Sequence, residues 1–157
     1  MTFSSGTKSG TTTAGGAQTF TATDPCASAT VIGGCGSGFP QSYTGGGSGA
    51  WSTNDCGFPT PGVEKVYSFV APTTGNYTIQ VTAASGFVDY GWQASTCAST
   101  GWTCIDDIST TGAFPVTPMS WTAGITYYIL LDDEDGTTGT HTFYLNCPAA
   151  TPAITLA

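Results

Sequence analysis

Four acids stand side by side at Asp132, Asp133, Glu134 and Asp135, followed by Gly136. Calcium takes about six to eight oxygens from carboxylates, carbonyls and water, and adjacent acids beside a glycine can supply several of them. Four like charges in four residues also repel one another, which a bound cation would relieve. Asp106 and Asp107 form a second acidic pair, and Asp89 could join either group. Neighbouring side chains on a strand point to opposite faces, so only one of Asp106 and Asp107 can enter a given site. The D-x-D-x-D spacing of a dedicated calcium loop is absent, and the competing reading is a solvated turn. Calcium is the one cofactor these residues suggest.

Other chemistry finds less support. His141 is the single histidine and lies in phase with Phe143 and Leu145 on an alternating segment, which reads as packing. A Ser–His–Asp hydrolase needs its nucleophile on a sharp elbow, and no G-x-S-x-G occurs. Nothing singles out two carboxylates from ten acids for glycoside hydrolysis. The chain therefore reads as a non-enzyme. Trp102 lies between Cys97 and Cys104, and Trp92 shortly before. Exposed on one rim, the pair could stack on sugar rings; the alternative is that both fill the core, as large aromatics commonly do.

Six cysteines, Cys26, Cys35, Cys56, Cys97, Cys104 and Cys147, make an even count in a small chain. Without a C-x2-C pair and with one histidine, zinc fits poorly and disulfides fit well. The spacing predicts Cys97–Cys104 across the loop CASTGWTC, then Cys35–Cys56 and Cys26–Cys147, with Cys26–Cys35 plus Cys56–Cys147 left open. Disulfides imply export. Residues 1–10 hold no apolar signal core, so a trimmed piece with an added Met1 is expected. No apolar run approaches the roughly 20 residues of a membrane helix; the longest, 127–131, is strand-length.

The elements that must position these residues are strands. In residues 64–81, EKVYSFVAPTTGNYTIQV, Tyr67 and Phe69 share one face, as do Tyr77, Ile79 and Val81. Pro72 and Gly75 lie between them, so the segment reads as a hairpin. Residues 125–131 alternate likewise, and Asp135-Gly136 before 140–146 reads as a second hairpin. Further strands are expected at 29–32, 90–94, 103–108 and 116–121, and residues 41–44 read as a short polar piece. The pattern predicts an all-β, disulfide-stapled antiparallel sandwich or jelly roll of about 8–10 short strands, with little or no helix. Residues 1–23 read as a Ser/Thr/Gly-rich arm with a possible added strand at 18–23, and 148–157 as a linker to a following module. A net charge of −8 with no arginine argues against nucleic acid and against anionic lipid.

The order of these pieces resembles the bacterial pre-peptidase C-terminal (PPC-like) domain, in the cysteine-bearing version found in large secreted surface proteins. The matching stretches are DPCASATVIGGCG (24–36), residues 64–81, VDYGWQAST-C (88–97) and Asp106-Asp107. AGITYYILLDD (123–133) and THTFYLNC (140–147) complete them. The resemblance spans about residues 24–147; residues 1–22 have no counterpart, and the chain carries no peptidase domain. It implies an extracellular accessory sandwich, whose relatives sit beside peptidases or in adhesins and some of which bind collagen or calcium. The expected role is adhesion or spacing, calcium-stabilised or self-assembling through residues 18–23. The alternative is a carbohydrate- or protein-binding accessory module of a secreted hydrolase. Expected partners are neighbouring modules of the same or identical chains, or an extracellular glycan or protein.

Overall fold

The computed structural model describes residues 8–11, 17–20, 24–53, 55–134 and 139–149. Among them are eleven strands and no helix. The first two, β1 (Lys8–Thr11) and β2 (Ala17–Phe20), pair antiparallel with each other, Lys8 opposite Phe20 and Thr11 opposite Ala17. The strand expected over 18–23 falls on β2, with 21–23 outside the described residues.

The other nine form two sheets. They are β3 (Thr30–Val31), β4 (Gln41–Thr44), β5 (Lys65–Val70), β6 (Gly75–Ser85), β7 (Val88–Ala94), β8 (Thr103–Ile108), β9 (Gly112–Trp121), β10 (Thr126–Asp133) and β11 (Thr140–Asn146). One sheet has the order β3-β5-β10-β7-β8 and the other β4-β11-β6-β9. Every pairing is antiparallel except the two-residue contact of β3 with β5. The chain is thus an all-β sandwich, as its alternation predicts.

Alternation also selects the inner faces. Tyr77, Ile79 and Val81, then Ile129 and Leu131, then Phe143 and Leu145 are fully buried, and His141 joins the last group. Their neighbours Asn76, Thr78 and Gln80 are not. Aromatic rings fill one end of the interior: Trp121 stacks on Tyr127 at 4.3 Å and on Tyr77 at 4.9 Å. Burying each large apolar side chain contributes about 1.5–3 kcal/mol relative to exposure.

From β3 to β11 the chain changes sheet at every step except β7 to β8. This corrects both expected hairpins: β5 and β6 lie in opposite sheets, and so do β10 and β11. Alternation says which face of a strand is buried, not which strand lies beside it. The backbone around Ala71 bonds elsewhere, its N–H to the Ile125 carbonyl and its carbonyl to the Gly124 N–H. Phe69 and Tyr77 then meet across the interior, ring centres 6.0 Å apart. The polar piece 41–44 is itself a strand, with Tyr43 buried and its hydroxyl donated to the Val63 carbonyl.

All six cysteines are bridged, but in another pattern: Cys26–Cys97, Cys35–Cys147 and Cys56–Cys104, with Cα separations of 5.7, 5.8 and 5.0 Å. The predicted Cys97–Cys104, Cys35–Cys56 and Cys26–Cys147 are not formed, nor is the alternative set. Cys104 pairs in the ladder with Gly91, so Cys97 lies past the end of β7, where the turn after Asp24 brings Cys26. Nearness in sequence misled because a disulfide needs Cα atoms within about 7 Å, which the sheet register decides.

Candidate metal centre

The outer face of the five-stranded sheet carries a row of acids. In the register, Asp132 on β10 stands opposite Asp89 on β7, and Asp89 stands opposite Asp107 on β8. Glu64 extends the row on the far side: it directly precedes Lys65 of β5, which pairs with Leu131. Directly opposed residues share a face with Cβ atoms about 4.5–5.5 Å apart, and opposed like charges destabilise a sheet.

Residues 50–53 and 55–62 fold over this face and bury it. Beneath them Val66, Leu130 and Trp102 form a small second core, with Trp51 against Trp102 at 6.3 Å. The Cys56–Cys104 bond ties the loop to β8. Half of the acid row holds the loop in place. Both Glu64 oxygens accept the Ala50 N–H, at 2.8 and 3.0 Å, and Oε1 also accepts the Trp51 N–H at 3.0 Å. Asp132 Oδ2 accepts the hydroxyls of Thr60 at 2.7 Å and Thr53 at 3.1 Å. Gly49 is a required glycine, because a Cβ there would collide with the Glu64 carboxylate and the Gly62 carbonyl.

The other half has no such donors. Asp89 is 4% exposed, and neither of its oxygens receives an N–H or hydroxyl. Its polar neighbour is the Glu134 carboxyl, and two carboxyls can hydrogen-bond only when one holds a proton. Asp107 Oδ1 is likewise buried without a partner. Asp89, Asp107 and Glu134 each offer an oxygen within 4.8 Å of the others. Burial first, then the charges of Glu134 and Asp107, push the Asp89 carboxyl up to about 8. Burial also raises Asp132, to about 7, although the threonine hydroxyls pull it down.

The structure therefore unites Asp89, Asp107 and Glu134, with Asp132 beside them. It does not bring in the rest of the predicted acids. Asp132 and Asp133 end a strand rather than occupy a solvated turn, and both are fully buried. Asp133 faces the other way and its Oδ2 accepts the Gly46 N–H at 2.8 Å. Asp106 stands opposite Tyr90, on the face away from Asp107, and its Oδ1 accepts the Asp107 N–H. The rule that only one of that pair could enter a site holds. Asp135 lies outside the described residues.

The two tryptophans proposed as one rim lie on opposite faces of the sheet. Trp92 points inward against Trp121 and Tyr127, at 6.0 and 5.8 Å. Trp102 is 5% exposed under the loop, so its ring offers no open face for a sugar, and Trp92 is partly buried against the core. His141 is buried, its Nδ1 3.1 Å from the Tyr90 hydroxyl. Sequence reasoning missed Glu64, Thr53 and Thr60; the available signal was a lone acid at the head of an apolar strand in a chain with few charges. Among the described residues no helix is long and apolar enough to cross a membrane. No family model, curated protein or solved structure matches the chain.

Proposed function

We propose that this chain is a non-catalytic extracellular sandwich module serving as a structural spacer or adhesion module within a larger secreted or cell-surface protein. Three disulfides fit an oxidising, extracellular environment. The PPC-like resemblance points to the same role.

The observation that carries the spacer reading is Cys35–Cys147, a bond between residues 112 positions apart. It clamps the two ends of the sandwich, and the Gly36 N–H donates to the Leu145 carbonyl beside it at 2.7 Å. Tension entering at one end and leaving at the other crosses this bond and bypasses β4 to β11. Such a module bears load without unravelling, which suits a link in an array. His141, committed to Tyr90 inside the core, favours the non-catalytic part of the reading. The glycan-binding alternative loses its ring platform with Trp102 buried.

Single-molecule pulling through the chain ends is the test. Oxidised protein is expected to release almost no length, and reduced protein about 40 nm, the extended span of the 112-residue loop. Release of the full length from oxidised protein would rule out the clamp and the spacer role with it.

A further inference from the structure

Along the acid row on the outer sheet face, Glu64 and Asp132 Oδ2 take donors from the covering loop, Asp132 Oδ1 is buried without a partner, and Asp89 takes none on either oxygen. Asp89, 4% exposed, faces Asp107 and Glu134 instead. A buried carboxylate is normally paired or bound to a metal, because an unpaired one loses its hydration without replacement. Among the described side chains no cation fills that role: Lys65 donates to the Ser42 carbonyl and lies 5.0 Å from the Tyr67 ring centre.

We infer that Asp89, Asp107 and Glu134 bind one calcium ion between β7, β8 and the end of β10. The donors are all hard carboxylate oxygens. The cysteines are bridged and His141 lies inside the sandwich, so the soft and nitrogen ligands that zinc prefers are absent from the site. Calcium–oxygen distances of about 2.3–2.6 Å let ligands on opposite sides of the ion stand nearly 5 Å apart, which accommodates three oxygens that all lie within 4.8 Å of one another. Magnesium, at about 2.0–2.1 Å, demands near-ideal octahedral geometry and gives up its water reluctantly, so a protein carboxylate set of this kind suits it less. Water completes the shell, as it commonly does for this ion. The ion neutralises the repelling trio and cross-links three segments next to the connection from β10 to β11. This site stands whether the module is a spacer, an adhesion module or neither.

The experiment is calorimetric titration of the oxidised protein with calcium chloride at pH 8, paired with melts in calcium, magnesium and chelator. Wild type should bind one calcium and melt about 5–10 °C higher at a calcium concentration a hundred times its Kd. Asp107→Asn should lose both responses while melting in chelator no lower than wild type, since it removes a charge from a repelling group. That pair of results separates a lost ligand from a damaged fold. If Asp107→Asn does not fold, Glu134→Gln, at a position that is likewise only partly buried, serves the same comparison. Absence of heat and of any melting shift in wild type would overturn the site. So would calcium affinity unchanged in the folded variant. Equal binding of magnesium would overturn the assignment to calcium.

Discussion

Asp89 and Asp107 are direct cross-strand partners on the outer face of the five-stranded sheet, and Asp132 stands opposite Asp89 on its other side. Three carboxyls in one row, covered by residues 50–53 and 55–62, make the folded state sensitive to pH. The Asp89 carboxyl is raised to about 8 and that of Asp132 to about 7, against about 3.9 in an unfolded chain. Between those values the folded protein holds protons that the unfolded protein has lost. Stability therefore falls as pH rises from about 4 to 8 and levels off above. The groups facing Asp89 are Glu134, Asp107 and Asp132, all acidic, so none reverses the sign. In chelator, urea midpoints are expected to decline from pH 5 to pH 8. In Asp89→Asn the decline should be shallower, with the variant more stable than wild type at pH 8.

Thr60 holds the loop to the sheet through one hydroxyl, which donates to Asp132 at 2.7 Å and lies 3.0 Å from the Thr53 hydroxyl. Thr60→Val keeps the volume and removes the donor, leaving a buried carboxylate oxygen with Thr53 alone. Hydrogen bonds to charged groups contribute about 1.5–3 kcal/mol, so that loss is expected in urea unfolding above pH 8, where Asp132 is ionised. At pH 4, where the folded protein holds Asp132 protonated and the bond is no longer to a charged group, the difference from wild type should shrink.

The two-sheet architecture was legible because burial and alternation are linked residue by residue: Tyr77, Ile79, Val81, Phe143 and Leu145 could be placed inside from spacing alone. What spacing did not carry was adjacency. Pro72-Thr73-Thr74-Gly75 permits a tight turn, yet Phe69 and Tyr77 face each other across the core and the chain arches from one sheet to the other. The disulfides followed from that error, since Cys104 lies beside Gly91 and within reach of Cys56 only once the strand order is known. For the site, the acids were visible as residue types, and the face rule put one of Asp106 and Asp107 aside. Their division was not visible, because Glu64 and Asp132 take donors from a loop whose path over the sheet no local pattern encodes.

The Cys56–Cys104 bond spans 48 residues and fastens residues 50–53 and 55–62 over Trp102. Replacing both cysteines with alanine removes a constraint on the unfolded chain worth about 2–5 kcal/mol in small secreted domains. The loss should be local as well as global, for Trp102 is covered by Trp51 from that loop. The double variant is expected to unfold at lower urea and, while folded, to show red-shifted tryptophan emission with increased quenching by iodide. Unchanged emission would mean that Glu64 and Asp132 hold the loop without the bond.

His141 supplies the opposite pH signature. Its ring is buried against Tyr90, with Nδ1 3.1 Å from the hydroxyl and Nε2 3.4 Å from the Gly86 carbonyl. Burial disfavours the imidazolium, so the folded pKa lies below the ordinary 6.5 even though the Gly86 and Ser85 carbonyls and the Asp133 charge favour protonation. As pH falls below 6.5 the unfolded chain takes up a proton that the folded chain resists, and stability drops through that window. His141 opposes the carboxyl row there, so the stability maximum should lie on the acid side of neutrality. Because the chain has a single histidine, its imidazole Cε1–H resonance is unambiguous in a magnetic-resonance titration. The midpoint is expected below 6.5 in the folded protein and near 6.5 in urea. A folded midpoint at or above 6.5 would show that the carbonyls and Asp133 outweigh burial, and the acid limb would then disappear from the stability curve.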